Sequence, residues 1–130
     1  MWKVGLEIVQ EHPLGIGSDN TKKVMYEYNP DLEPDRSHLH NTYLDIAVQY
    51  SLLGLGAYLW WMVAFARTTW RSFRSSPKDS LARSVSLGIF AAFLGFLLNG
   101  MVEFNFGDSE VAMILYAFMG ISLALGEKER

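Results

Sequence analysis

The chain has 130 residues, half of them hydrophobic, a formal net charge of −3 and no cysteine. That length holds one domain at most. The missing cysteine excludes disulfides, thiolate zinc sites and cysteine nucleophiles, whereas so weak a charge argues neither for nor against a nucleic-acid partner. Residues 1–45 are polar and carry His12, His38 and His40, whereas most of the remainder is apolar. No basic, aromatic-interleaved patch stands outside residues 67–83, so no nucleic-acid partner is expected.

The chain opens on a short amphipathic helix, with Trp2, Gly5, Leu6 and Val9 on one face and Lys3, Glu7 and Gln10 on the other. Such a helix suits a membrane surface. It ends at His12-Pro13, because proline disfavours helical geometry in the residue before it. Its N-terminal stretch is too short and too polar for a signal peptide. Gly15 to Asn20 reads as a turn-rich loop, residues 21–28 as a second short helix, and Asn29-Pro30 and Glu33-Pro34 as irregular chain. Lys22 and Lys23 read as solvated charges, with phosphate contact as the alternative.

Three apolar runs follow. Residues 46–66 are uncharged and about 31 Å long as a helix, residues 84–102 about 28 Å, and residues 111–125 about 22 Å. A hydrocarbon core is about 30 Å thick. The pattern predicts an all-α, polytopic membrane protein with three transmembrane helices preceded by a partly helical loop. Between the first two runs lie Arg67, Arg71, Arg74, Lys78 and Arg83, against a single acid, Asp79. Residues 103–110 hold Glu103, Asp108 and Glu110 and no base. The positive-inside rule then puts loop 67–83 and tail 126–130 in the cytoplasm and residues 1–45 and 103–110 outside. Small residues recur at helical spacing: Ala47, Ser51, Gly54 and Ala57, then Gly88, Ala92, Gly95 and Asn99, then Ala117, Gly120 and Ala124. Such stripes let helices approach closely in lipid, and Asn99 is expected to hydrogen-bond a neighbouring helix.

The string that could carry chemistry is Asp35-Arg36-Ser37-His38-Leu39-His40-Asn41-Thr42-Tyr43-Leu44-Asp45. Thr42 with Asp45 resembles a capping box, and Asn41 is also a good N-cap. His40 therefore sits at a helix N-terminus on the outer membrane surface. The helix dipole there disfavours a cationic ring, leaving an imidazole able to take a proton. Free backbone N–H groups attract an anion such as phosphate, and Arg36 adds a guanidinium suited to phosphate oxygens. The plainer reading is a solvated interfacial histidine. His38 and His40 could hold a metal with Asp31, Glu33 or Asp35 only on a strand, which the prolines oppose, so no metal is expected. Asp19, Glu103 and Asp108 could serve as polar partners, but no spacing selects them.

His40-Asn41, the nine residues Thr42 to Tyr50, and Ser51-Leu52-Leu53-Gly54 resemble the His-Asn, nine residues, Gly-x-x-Gly signature of the O-antigen ligase and O-antigen polymerase (Wzy-type) membrane glycosyltransferases. Ser51 stands where that family has glycine. Trp2 followed by His12-Pro13-Leu14-Gly15-Ile16-Gly17 resembles the family's tryptophan helix and Pro-Gly turn. The resemblance implies transfer of a glycan from an undecaprenyl-pyrophosphate donor to a hydroxyl of lipid A core or a glycan acceptor, at the outer face of the bacterial inner membrane. It implies His40 as the group activating that hydroxyl, Arg36, His38 and Asn41 as pyrophosphate or substrate contacts, Ser51 and Gly54 as helix-packing residues, and no cofactor. It also implies that the chain is a C-terminal fragment, inactive alone, whose partners would include membrane lipid and either the remaining N-terminal spans or other assembly proteins. The competing class is a non-enzymatic multi-span membrane subunit or transporter remnant.

Overall fold

A computed structural model describes residues 1–18, 20–31 and 38–127. Arg36 lies outside the described residues, as do Asp19, Glu33, Asp35 and the end of the expected tail, residues 128–130. The described residues form five α-helices and no strand: α1 Trp2–Glu11, α2 Thr21–Tyr28, α3 Thr42–Ser75, α4 Leu81–Asn99 and α5 Ser109–Glu127, with a short 3-10 turn at Asn105–Gly107 before α5.

Two helices, α3 and α4, are long and apolar enough to cross a membrane, where the sequence suggested three spans. The apolar stretch of α5, Ser109–Leu125, has 17 residues, about 26 Å of helix. That falls short of a hydrocarbon core of about 30 Å. Helix α3 is instead longer than expected. Its 34 residues are divided by a non-helical Ser51, and the part after that break, residues 52–75, is about 36 Å long, enough for a hydrocarbon core of about 30 Å. Charges ended the apolar run at Ala66, but they did not end the helix. Phe65, Thr69 and Ser72 stay buried at helical spacing while Arg67, Arg71 and Arg74 face outward. The helix stops at Ser76, which is extended (ψ 142°) because Pro77 follows. The connection to α4 is therefore Ser76–Ser80, shorter than the expected loop 67–83. Ser80 caps α4 by accepting the Arg83 N–H at 3.2 Å.

The three long helices pack through large residues and short polar links. Tyr58, Met62 and Phe65 of α3 meet Ile89 and Phe93 of α4 and Leu115 of α5, with the Phe65 and Phe93 rings edge to face at 4.8 Å. Thr69 Oγ1 lies 3.2 Å from Ser122 Oγ, and Ser86 Oγ lies 3.2 Å from Ser72 Oγ. In lipid, where apolar burial drives little association, such packing and polar contacts hold helices together. The small-residue stripes of α4 and α5 do not serve this packing. A Cβ built on Gly88, Gly95 or Gly120 would meet nothing within 4 Å. Asn99 is the exposed last residue of α4 rather than a mid-span polar group.

A second core lies at the other end of the molecule. Ile8 of α1, Met25 of α2, Leu39 just before α3 and Val48 of α3 are buried together. The buried face of α1 is Gly5 and Ile8, rotated from the expected one. Trp2 and Leu6 are exposed, and with Val9 they border an apolar groove against Leu44, Ala47, Leu52 and Leu55. Gly5 eases this approach, since a Cβ there would fall 2.6 Å from Leu44 Cδ2 and the leucine would have to shift.

Candidate functional site

Helix α3 is broken at Ser51, whose backbone (φ 74°, ψ 173°) is not helical. This combination is open almost only to glycine. That gives a physical reason for the family's glycine here, which close packing alone does not supply. The break releases the carbonyls of Val48 and Gln49, and the glycine turn takes them up. Ile16 N–H donates to Val48 O at 2.9 Å, and Gly17 N–H to Gln49 O at 3.0 Å. Gly15 (φ 81°) passes so close that a Cβ would sit 2.6 Å from Gln49 O. Ser51 Oγ then accepts the Leu53 N–H at 3.2 Å, capping the second part of the helix. Gly54 lies one turn on, its N–H 3.5 Å from the same Oγ. The two sequence patterns, Pro-Gly turn and His-x10-Ser, thus meet as one backbone junction.

The N-terminus of α3 is held just as firmly. Asn41 is the cap: its side-chain oxygen accepts the Leu44 N–H at 3.0 Å, and its amide donates to Met101 O at 3.0 Å. Both ends of the Asn41 side chain are therefore engaged within the protein. Asp45 does not close a capping box with Thr42; it reaches back to accept the Leu39 N–H at 2.9 Å. Thr42, fully buried, turns sideways. Its N–H bonds the carbonyls of Gly100 and Glu103, and its hydroxyl lies 2.9 Å from Glu103 O and 2.8 Å from Asn105 Oδ1. These bonds tie the turn after α4 to the start of α3.

That tie brings Glu103 to the histidines. One Glu103 carboxylate oxygen is 2.9 Å from His40 Nδ1 and 3.3 Å from His38 Nε2, and the two imidazoles stand 4.4 Å apart. Partial desolvation acts to raise the Glu103 carboxyl, but the hydrogen bond and charge of His40 and the bond from His38 outweigh it and hold it below its usual value. An ionised carboxylate only accepts, so His40 Nδ1 carries the hydrogen, and Nε2 of a neutral ring is the proton acceptor. The His40 side chain is 40 % exposed, open to a reactant. His40 itself has a positive φ (52°), which turns its ring toward this cluster rather than along the helix.

The ligand atoms of His38, His40 and Glu103 lie within 4.8 Å of one another, the one such set among the described residues. Ligands on a tetrahedral zinc are about 3.3 Å apart, given metal–ligand bonds of about 2.0–2.1 Å. The 2.9 Å contact from His40 is instead a hydrogen-bond distance. A cavity of about 550 Å³ opens beside the cluster, lined by His38, Glu103 and Asp108 together with Thr21, Lys22 and Tyr50. Sequence reasoning missed the role of Glu103. It was one of three acids in a loop without a base, and only the fold sets it beside residues more than 60 positions earlier.

Residues 1–59 match the sequence profile of the family described as O-antigen ligase. No curated protein and no solved structure matches the chain. The glycine turn, both clustered histidines, the Asn41 cap and the Ser51 break all lie inside that matched segment, so residues 1–59 are similar to the C-terminal part of the O-antigen ligase family.

Proposed function

We propose that this chain carries the acceptor-activating end of an O-antigen ligase-like or polymerase-like membrane glycosyltransferase. Its glycan would come from an undecaprenyl-pyrophosphate donor and pass to a hydroxyl at the outer face of the inner membrane. The observation that carries the reading is the His40–Glu103 pair just before the N-cap of α3. His40 Nε2 takes the proton of the acceptor hydroxyl as its oxygen bonds to the anomeric carbon. The bond from that carbon to the pyrophosphate oxygen breaks, and undecaprenyl pyrophosphate leaves with the electron pair. Glu103 holds the ring in the correct tautomer and balances the charge that forms on it. General-base help of this kind is worth about 10²–10⁴ in rate. Arg36 remains a proposed pyrophosphate contact, and His38 a substrate contact.

The basic turn supports the orientation that this chemistry needs. Arg67, Arg71, Arg74 and Lys78 gather toward the Ser76–Ser80 end of α3 and α4, opposite the His40 end, and the positive-inside rule favours the cytoplasm for that end. The test is His40→Ala in the native gene, with surface glycan measured in cells and the protein quantified in the membrane fraction. Loss of transfer with normal membrane levels is expected. Undiminished transfer would leave the non-enzymatic subunit reading standing instead.

A further inference from the structure

Two imidazoles and a carboxylate converge on one point at the His40 end, and a hydrogen-bonded pair uses only part of that arrangement. His38 Nε2 and His40 Nδ1 approach the same Glu103 oxygen at 3.3 and 2.9 Å, and all three atoms lie within 4.8 Å of one another. Hydrogen bonds and metal bonds draw on the same lone pairs, so these atoms are already aimed where an ion would sit. Ligands on a tetrahedral ion stand about 3.3 Å apart. One edge of the set has that length, a second must open by a few tenths of an ångström, and the third must close.

The backbone fixes the set while the side chains keep room to adjust. Leu39, between the two histidines, is fully buried, and its N–H donates to Asp45 Oδ2 at 2.9 Å. The Glu103 carbonyl accepts from Thr42 N–H at 3.1 Å and from Thr42 Oγ1 at 2.9 Å. The side chains of His38, His40 and Glu103 are 33 %, 40 % and 48 % exposed, so an ion can enter and the rings can turn. The cavity beside them leaves a fourth position open to water. Two histidines, one glutamate and an open position form a ligand set that zinc takes. Calcium and magnesium prefer oxygen ligands, which two imidazoles do not supply. With both rings neutral the set carries one negative charge, which favours a divalent cation.

We propose that His38, His40 and Glu103 form a site for a divalent transition-metal ion of the zinc class, and that the bound ion silences transfer. An ion on His40 Nδ1 displaces the hydrogen there, and the neutral ring then carries its hydrogen on Nε2. That nitrogen has no lone pair left to take the proton of a hydroxyl. The silencing rests on the transfer reading above; binding itself does not.

The test uses the full chain in nanodiscs, with any affinity tag removed, titrated with zinc chloride and, separately, with magnesium chloride. Zinc should bind and raise the melting temperature, whereas magnesium should do neither. Loss of even an outer partner of a metal ligand costs about 10–100-fold in affinity. His38→Gln and Glu103→Gln, which remove ligands outright, should therefore each weaken zinc binding by at least about tenfold. His12→Gln lies outside the set and should change it by less than about twofold. No zinc binding, magnesium binding as tight as zinc, or affinity unaltered in His38→Gln and Glu103→Gln overturns the site. In membranes carrying the product of the native gene, zinc should lower transfer and a chelator should restore it. Transfer undiminished at zinc concentrations that fill the site overturns the silencing. Failure of the transfer reading appears separately, as transfer that survives His40→Ala while the parent chain still binds zinc.

Discussion

At the Ser51 end of the molecule a glycine turn is bonded, backbone to backbone, to a broken helix. At the Ser72 end α3, α4 and α5 meet through side chains, by ring edges, single hydroxyls and Arg83, which lies over Phe73 and donates to Ser76 O. The first region holds every residue with positive φ among those described: His40, Ser51, Gly15 and Gly17. The second holds none. Strained backbone persists only where the surroundings over-determine it, and such places cluster at functional sites. The difference teaches that the histidine end is built for fixed geometry, whereas the bundle beneath it tolerates change.

Substitutions should divide along the same line. The largest effect expected is on catalysis. Glu103→Gln keeps the shape but replaces an acceptor-only carboxylate, and transfer should fall by about tenfold or more, within the roughly 10²–10⁴ assigned to the base itself. The pH profile supplies a sign. Because the carboxyl of Glu103 lies below its usual value, its bond to His40 is fully present above the ordinary carboxylate range. That bond is lost only as pH falls through the lowered value. The stability that this bond contributes should thus fall in that acid range, and Glu103→Gln, which has no carboxyl to protonate, should lack that part of the acid loss.

Next in size comes the junction. Gly15→Ala combines a left-handed backbone with a Cβ 2.6 Å from Gln49 O and should cost about 2 kcal/mol or more. Thermal unfolding in detergent, followed by tryptophan fluorescence, would report it. Ser51→Leu should also impair folding, since Ser51 is buried at a backbone angle closed to bulky residues. Ser51→Gly should do the reverse. Relief of strain is worth about 1–3 kcal/mol, and loss of a serine cap to glycine costs only a few tenths. A net gain of about 1 kcal/mol follows, and a loss on Ser51→Gly would count against strain at the break.

The bundle should respond least. Gly88→Ala and Gly95→Ala meet open space and should be neutral or stabilising by up to about 1 kcal/mol, as helix propensity dictates. Marked destabilisation in cells but not in detergent would reveal another helix seated on that face. Smallest of all is the tie from Tyr28, whose hydroxyl donates to Glu11 at the surface. This hydrogen bond raises the Tyr28 hydroxyl from 10.0 to about 12. The bond is present below pH 10 and lost as pH rises through about 12. Tyrosinate absorbance should show a late-titrating component that Glu11→Gln returns to the ordinary range.

Much of this architecture was legible in the residues. Hydropathy located α3 and α4, proline and glycine marked the ends of α1 and α2, and the His-Asn spacing pointed to His40. Helix length was not legible, because arginines on an outer face end an apolar run without ending a helix. Small residues misled in α4 and α5, where size alone does not say which face meets a neighbour. Ser51 was read as a packing residue, since a positive φ leaves no trace in composition beyond the glycine it replaces. Glu103 was hidden because long-range placement depends on Thr42 and Asn105, whose bonds follow from the fold and not from spacing.

The account turns on which side of the membrane holds the histidine cluster. The chain has no cysteine, so single-cysteine labelling is clean. Leu14→Cys at the glycine turn and Lys78→Cys at the basic turn, both exposed, can be probed in intact cells whose outer membrane has been made permeable, with a maleimide unable to cross the inner membrane. The account predicts that position 14 reacts at once and position 78 only after the inner membrane is opened. The reverse pattern, or equal labelling at both, would contradict it.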